Sequence, residues 1–126
     1  MPRIYALDTN AVIFYVTDEK KACERLIPII QDSDTRLIIP AIVVAELWAA
    51  PYEALGQIDA IRALLGTAIV APLDEALAQS AGVIQRQCRM RLGDACVAAT
   101  AIAHGAPLLT RDEDFRRVPN LWVEVI

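Results

Sequence analysis

Histidine and cysteine are scarce in the 126-residue sequence, which contains one histidine, His104, and three cysteines, Cys23, Cys88 and Cys96, without a C-x-x-C spacing. A zinc site and a histidine general base are therefore not expected. The odd cysteine count predicts reduced thiols in a cytoplasmic protein rather than a disulfide framework. His104 precedes Gly105 at the predicted end of a helix, where we expect it to interact with the negative helix terminus.

Long apolar runs are also missing. The longest covers positions 37–45, contains Pro40 and ends at Glu46, whereas a membrane helix needs roughly 20 apolar residues. The apolar stretch Ile4–Leu7 is too short for the core of a signal peptide. We therefore expect a cytoplasmic protein without a membrane-spanning segment.

Positive charge is in short supply, because 12 Lys and Arg residues face 16 Asp and Glu residues and the formal net charge is −4. Proteins that bind nucleic acid through phosphate neutralisation are usually basic. Either this chain does not bind nucleic acid, or its carboxylates hold metal ions that supply the positive field. The hydrophobic fraction of 56% is ample for one packed core, and the length predicts a single domain over residues 1–126.

Short apolar runs alternate with amphipathic segments along the chain, which predicts an α/β fold with a central, mostly parallel sheet of four to five strands and helices on both faces. Gly93 is expected to separate two helices, the second of which begins at Asp94. The predicted strands are Ile4–Leu7, Arg36–Ile39, Ala68–Ala71, Pro107–Thr110 and Leu121–Val125, and the predicted helices are Ala11–Val16, Asp18–Gln31, Ala41–Ala50, Tyr52–Leu65, Asp74 to before Gly93, and Asp94 to Gly105, with a polar turn over Arg111–Arg117.

Five acidic residues are candidates for a ligand-binding site at the carboxyl edge of the predicted sheet. Asp8 follows the first strand, Asp112 and Asp114 follow the fourth, Asp94 begins a helix, and Glu46 lies in an otherwise apolar helix. Ligands of open parallel sheets bind at the carboxyl ends of the strands, so these side chains are candidates for one site. Clustered carboxylates repel one another unless a cation compensates them, and Mg²⁺ prefers oxygen ligands. Such an ion activates water for phosphodiester hydrolysis.

Each acidic residue also has an ordinary structural interpretation. Asp8 and Asp94 are suitable N-caps for the helices that follow them. Asp112 and Asp114 lie in a charged segment in which exposure to solvent is the default, and a solvated face is an alternative for Glu46. No acidic residue is diagnostic by itself.

Two other classes of acid-dependent protein fit the sequence poorly. A phosphatase with a nucleophilic aspartate, of the haloacid-dehalogenase type, requires a second Asp two residues after the first, and position 10 is Asn. A receiver-like phosphoacceptor domain requires a late lysine, and the lysines are Lys20 and Lys21.

Four segments together resemble the motifs of PIN-domain nucleases. These are Asp8-Thr9-Asn10, Val44-Ala45-Glu46-Leu47, residues 92–101 (LGDACVAATA), which form the most specific segment, and residues 108–115 (LLTRDEDF). The resemblance extends over residues 3–126. A PIN domain of this size is similar to the VapC toxins of type II toxin–antitoxin systems.

This resemblance implies a PIN-like fold and an endoribonuclease that cuts single-stranded RNA with Mg²⁺, or Mn²⁺ as a substitute. It also implies a homodimer and a cognate antitoxin protein. A non-catalytic PIN scaffold that binds protein or RNA is the alternative. The implied catalytic and metal-site acids are Asp8, Glu46, Asp94 and either Asp112 or Asp114, and the implied supporting residues are Thr9, Asn10 and Thr110.

Arginine and aromatic residues near the motifs suggest contacts outside the acidic centre. Trp48 and Tyr52 would either stack on bases or pack in a subunit interface. The arginines would hold RNA phosphates or form an ordinary solvated surface. The candidate RNA-contacting residues are Arg86, Arg89, Arg91 and Arg111.

Overall fold

The structure, a computed structural model, describes residues 3–50 and 56–126. Within those residues the predicted alternation of strands and helices is present. One short 3₁₀ turn, Glu113–Arg117, occupies the predicted polar turn. The strands are β1 (Ile4–Leu7), β2 (Arg36–Pro40), β3 (Ile69–Ala71), β4 (Leu108–Thr110) and β5 (Val123–Val125), and the helices are α1 (Thr9–Val16), α2 (Lys20–Ile30), α3 (Ala41–Ala49), α4 (Ile58–Thr67), α5 (Glu75–Cys88) and α6 (Leu92–Ala103).

The five strands form one sheet in the order β3-β2-β1-β4-β5, and every pairing is parallel. The chain moves outward from β1 through β2 to β3 and then crosses to the other side of β1 to form β4. Leu7 at the end of β1 pairs with Leu109 in β4. The carboxyl ends of β1 and β4 therefore flank the point at which the strand order reverses, where open sheets bind ligands.

The boundary between α5 and α6 differs from the prediction. Helix α5 ends at Cys88, because Arg89 adopts a left-handed backbone conformation with φ 53° and ψ 49°. Helix α6 then begins at Leu92 after an extended Arg91. The prediction that Asp94 begins this helix is wrong, since Asp94 is its third residue and lies in the first turn.

Helix α2 continues through Pro28 to Ile30. Proline inside a helix leaves the carbonyl four residues earlier without its donor. Both Pro28 and Glu24, which carries that carbonyl, are exposed, so water can solvate the group. The beginning of the helix predicted over Tyr52–Leu65 falls on residues 52–55, outside the described residues.

The core contains the middle of the sheet and the alanine-rich helix α6. Residues 95–101 of α6 are all buried, and small side chains allow this helix to pack closely on α5 and β2. The largest buried side chains include Phe115, Leu7, Ile38 and Leu108, and burying each contributes about 1.5–3 kcal/mol. No helix among the described residues has the length and apolarity to cross a membrane.

Candidate active site

A cavity of about 130 Å³ lies at the carboxyl edge of the sheet. Four of its lining residues are acidic and come from four different parts of the chain: the ends of β1 and β4, helix α3 and helix α6. We call it the acid cavity. It is lined by Asp8, Thr9, Asn10, Glu46, Arg91, Asp94, Val97, Asp112 and Phe115.

Asp8 is the most buried acid of this cavity, with 7% of its surface exposed. One carboxylate oxygen accepts a hydrogen bond from the backbone N–H of Ala11 at 2.8 Å and so caps α1, and the other accepts from the hydroxyl of Thr110. Burial raises the pKa of Asp8; the bonds from Thr110 and Ala11 oppose this, and the charges of Asp94 and Asp112 add to it. A nearby cation would favour the ionised form.

Thr110 connects Asp8 to the fourth acidic segment. Its hydroxyl is fully buried, donates to Asp8 and accepts the backbone N–H of Asp112 at 3.0 Å. The Asp112 carboxylate accepts in turn from the N–H of Asp114 at 2.9 Å. These bonds hold the backbone after β4 in a tight turn and place Asp112 at the cavity.

Glu46 reaches the cavity from α3 through two local features. The hydroxyl of Thr9 donates to Glu46 Oε1 at 2.6 Å. The other oxygen, Oε2, would lie 3.0 Å from a Cβ atom placed on Gly93, which is closer than most side chains tolerate. The glycine before Asp94 therefore leaves room for the Glu46 carboxylate.

Asp94 projects from the first turn of α6, with 23% of its side chain exposed. Burial raises the pKa of Asp94, the neighbouring Arg91 opposes this, and the charges of Asp112 and Glu46 add to it. The Nε of Arg91 lies 3.4 Å from Asp94 Oδ2. The arginine is largely exposed, so this ion pair compensates the negative charge of the acids only weakly.

Asp112 and Asp114, the two candidates for the fourth acid, occupy different places. Asp112 lines the acid cavity, and Asp114 is not among the residues that line it. Asp114 lines an adjoining groove of about 350 Å³ that also includes Asp94 and Asp112. The geometry thus brings four of the five predicted acids to one cavity and sets the fifth beside it.

Arg111 is engaged within the protein, although the sequence made it a candidate RNA contact. Its Nη2 lies 2.7 Å from Glu19 Oε2, its Nε donates to the carbonyl of Ile126 at 3.3 Å, and its guanidinium stacks 4.2 Å from the centre of the Phe14 ring. The hydrogen bond from Arg111 is the main cause that lowers the pKa of Glu19. Arg111 fastens the segment after β4 to α1 and α2.

The other predicted contact residues are distributed as follows. Arg89 and Arg91 line the adjoining groove, whereas Arg86 is exposed in the last turn of α5 and lines neither space. Trp48 is 45% exposed, and Arg62 lies 5.8 Å from its ring centre. Tyr52 lies outside the described residues.

The roles of three residues of this region were not predicted from the sequence. Glu19 was not selected because its partner Arg111 is 92 positions away, and no local pattern signals such a pair. Gly93 was included in the segment of residues 92–101 and interpreted as a turn, but the space that it leaves for the Glu46 carboxylate was not predicted. Phe115 is buried beneath the cavity.

The donor set of the acid cavity fits a hard divalent cation. All four acids offer oxygen ligands, and Gly93 leaves space at Glu46. Burial, with a smaller contribution from the charges of neighbouring acids, raises the pKa of Asp8 and Asp94. Among residues 3–50 and 56–126, no three His, Cys, Asp or Glu side chains already stand as a metal-binding group. Because Mg²⁺ keeps several waters and uses one or two carboxylates directly, acids spread around a small cavity suit it.

Comparison with known proteins identifies the family. The sequence profile of the PIN domain matches residues 5–121. The chain belongs to the PIN domain family. The match includes all four acidic segments, so the resemblance noted in the sequence is confirmed. PIN domains are in general nucleases.

Several solved structures that resemble this PIN domain are described as VapBC or toxin–antitoxin complexes. VapBC2 from Rickettsia felis, bound to a DNA fragment from its promoter, matches with a TM-score of 0.77 and 22% identity over 98% of each chain. A toxin–antitoxin complex from Klebsiella pneumoniae gives 0.78 and 23% over 97% of this chain and 95% of that chain. VapBC-1 from nontypeable Haemophilus influenzae gives 0.73 and 25% over 97% of each chain. These likenesses confirm the predicted fold. A search of curated proteins finds no match.

Proposed function

We propose that this PIN domain is a divalent-metal-dependent endoribonuclease that hydrolyses phosphodiester bonds in single-stranded RNA. The observation that carries the proposal is the acid cavity, in which four carboxylates from separate elements meet where the strand order reverses. Mg²⁺ is the proposed ion, with Mn²⁺ as a substitute, because the site offers oxygen ligands alone.

Asp8, Glu46, Asp94 and Asp112 would hold the ion in this proposal. When bound, a divalent ion supplies an activated water and positive charge for the phosphate oxygens. Thr110 fixes the orientation of Asp8 and the backbone of Asp112 through its two hydrogen bonds. Thr9 holds Glu46 against Gly93 in the same manner.

Asp112, rather than Asp114, is the proposed fourth acid. It lines the cavity together with the three acids of the other segments, and its N–H is fixed by the hydroxyl that also holds Asp8. The backbone N–H of Asp114 donates to the Asp112 carboxylate, and the Asp114 side chain lines the adjoining groove rather than the cavity.

The proposed biological role is that of a VapC-like toxin, acting in the cytoplasm as a homodimer and neutralised by a cognate antitoxin. Support comes from the similar structures, which are described as VapBC or toxin–antitoxin complexes. The alternative, a non-catalytic scaffold, is disfavoured because burial, with a smaller contribution from neighbouring acids, raises the pKa of Asp8 and Asp94 in the folded chain. A cation would offset the cost of keeping these two carboxylates ionised, and a domain without metal chemistry has no such compensation.

RNA cleavage by the wild type and by Asp94→Asn tests the proposed function. Purified, antitoxin-free protein is incubated with structured RNAs in EDTA, Mg²⁺ or Mn²⁺. We expect the wild type to cleave with either ion, EDTA to abolish cleavage, and Asp94→Asn to be inactive.

Asp34→Asn is the matched control, because Asp34 is an exposed aspartate that precedes β2 at the opposite edge of the sheet. It should cleave like the wild type. Cleavage that persists in EDTA or in Asp94→Asn would refute the metal mechanism. A folded wild type that neither cleaves RNA nor gains thermal stability from Mg²⁺ would favour the non-catalytic scaffold.

A further inference from the structure

Three arginines line the groove that adjoins the acid cavity. The groove has a volume of about 350 Å³, and it shares Arg91, Asp94 and Asp112 with the cavity, so the two spaces adjoin each other. We call it the arginine groove. It is lined by Arg89, Met90, Arg91, Asp94, Asp112, Asp114 and Arg117.

Arg89 stands in a backbone conformation that its residue type disfavours. Its φ of 53° and ψ of 49° place it in the left-handed region directly after α5, where glycine is the usual residue. The other non-glycine residues with positive φ in the described chain are Asp18 and Asn120, and both types tolerate this conformation through their short polar side chains. Arginine has no such compensation, which is a signature of functional positions.

The side chain of Arg89 also has no partner in the part of the chain that the structure describes. The residue is exposed, and no described residue forms a hydrogen bond or ion pair with its guanidinium. Arg91 lies 3.4 Å from Asp94 at the boundary with the cavity. Arg117 uses its Nε for the carbonyl of Asp114 at 3.3 Å, which leaves its other N–H groups available.

Two acidic and two basic side chains of the groove lie on different sides of it. Asp94 and Asp112 lie at the side shared with the acid cavity, whereas Arg89 and Arg117 are outside it. Guanidinium groups bind phosphate oxygens through parallel N–H donors. Asp114 also lines the groove and does not line the cavity, so its negative charge reduces the attraction of the groove for a phosphate.

We propose that the arginine groove binds the phosphodiester backbone of an RNA strand next to the phosphate that reacts in the acid cavity, with Arg89 as its principal contact. The inference rests on the proposed function, because a strand held at the acid cavity must continue into an adjoining space. The proposal explains why arginine occupies a left-handed position at which glycine would be more stable: the guanidinium is needed to bind the substrate.

Arg89→Gly and Arg89→Ala separate the side chain from the backbone strain. Both remove the guanidinium, but only glycine relieves the left-handed conformation. We expect the melting temperature of Arg89→Gly to exceed that of Arg89→Ala by about 2 to 5 °C. A melting temperature for Arg89→Gly at or below that of Arg89→Ala would overturn the argument from strain.

RNA binding is measured by fluorescence anisotropy with a short labelled single-stranded RNA, in EDTA to prevent cleavage and at low salt to retain electrostatic contacts. Both variants should bind about two- to fivefold more weakly than the wild type, as expected for one exposed charge pair. The slope of log affinity against log salt should fall by about 0.7, the value for one phosphate contact on a single strand.

Arg116→Ala is the matched control, because Arg116 neighbours Arg117, is exposed and does not line the groove. It should retain the wild-type affinity and salt slope. Equal losses of affinity in Arg116→Ala and Arg89→Ala would overturn the groove, because they would indicate a general effect of surface charge. Wild-type affinity in both Arg89 variants would overturn it too, because Arg89 would then make no contact with the RNA.

DNA of the same sequence provides a further arm of this experiment. Because the proposed contacts are to phosphates, Arg89→Ala should weaken RNA and DNA binding by the same factor. A loss confined to RNA would overturn phosphate contact by Arg89.

The cleavage assay separates the two proposals. Normal cleavage by the wild type together with unchanged RNA binding in the Arg89 variants would reject the groove alone. An inactive wild type whose RNA binding depends on Arg89 would reject the nuclease and leave the groove as a binding site.

Discussion

Helices α1 and α5 begin after aspartates that are locally almost identical. Asp8 has φ −83° and ψ 176°, and Asp74 has φ −83° and ψ −178°. Each carboxylate accepts the backbone N–H three residues later, from Ala11 at 2.8 Å and from Leu77 at 2.9 Å. Helix capping is therefore common to both and does not distinguish a candidate active-site residue from a structural one.

The surroundings of the two carboxylates differ. Asp74 is exposed, whereas Asp8 is buried, accepts a second hydrogen bond from Thr110, and shares its cavity with three other acids. Burial and mutual repulsion oppose stability in the absence of a cation, so helix capping alone does not account for Asp8. The comparison shows that a carboxylate's second oxygen, and what that oxygen faces, are more informative than its cap.

The largest expected difference between the two aspartates is in catalysis. Asp8→Asn and Asp74→Asn both preserve a side chain that caps a helix well. Asp8→Asn should reduce RNA cleavage by more than about a hundredfold, beyond the effect of losing a residue that only orients a ligand, because it removes an acid of the metal site. Asp74→Asn should cleave like the wild type. Equal activities of the two variants in the same assay would place the chemistry elsewhere.

Loss of the second hydrogen bond should have the next largest effect. Thr110→Val retains the shape of the side chain but removes the donor to Asp8 and the acceptor for Asp112. We expect a decrease of about 10- to 100-fold in Mg²⁺ affinity or cleavage. Thr67→Val, which removes a hydroxyl bonded to the carbonyl of Leu64 away from the cavity, is the control. Mg²⁺ titration monitored by thermal stability would contradict this prediction if both valine variants responded alike.

Removal of the structural cap alone should affect stability and not catalysis. Asp74→Ala should lower the free energy of unfolding by about 1 kcal/mol, the usual effect of losing an N-cap, to the same extent in EDTA and in Mg²⁺. Asp74→Asn should remain close to the wild type. Urea unfolding of the three proteins measures this, and a Mg²⁺-dependent effect of Asp74→Ala would mean that the two aspartates are less distinct than the structure indicates.

The smallest expected difference is in the pH dependence of the metal-free protein. The folded-state pKa of Asp8 lies above its ordinary value of 3.8, so the folded state binds more protons than the unfolded state between those two values. Its contribution to stability therefore decreases as pH rises through that window. The stability of Asp8→Asn relative to the wild type should rise over the same window in EDTA, and the wild type measured in the same buffers is the reference. A flat difference for Asp8→Asn in thermal unfolding would contradict the raised pKa.

The strands and their carboxyl-end acids were predictable because both depend on local patterns. Apolar runs such as Ile4–Leu7 mark buried strands, and an acid directly after such a run lies at the sheet edge by geometry. The end of α5 was not predictable, because Arg89 adopts the left-handed conformation without the glycine that usually signals it. The beginning of α6 was misplaced because Gly93 was interpreted as the separator of the two helices, whereas it lies inside the first turn of α6.

The distribution of roles among the arginines could not be read from the sequence. Arg111 and Arg89 are both charged residues beside an acidic segment, and sequence reasoning treated them alike. Only the fold brings Glu19, Phe14 and Ile126 around Arg111 and leaves the Arg89 side chain without a partner among residues 3–50 and 56–126. Contacts between residues far apart in the chain decide such roles.

The close approach of Glu46 to Gly93 also sets how this chain can evolve. Gly66 and Gly82 lie within helices and have no atom within 4 Å of an added Cβ, so alanine there should be tolerated and add up to about 1 kcal/mol of helix stability. Alanine at position 93 would improve the first turn of α6 equally well while displacing the Glu46 carboxylate. At position 93, selection for stability therefore favours alanine, whereas selection for activity favours glycine. A more stable version of this protein would need its stabilising substitutions at other positions.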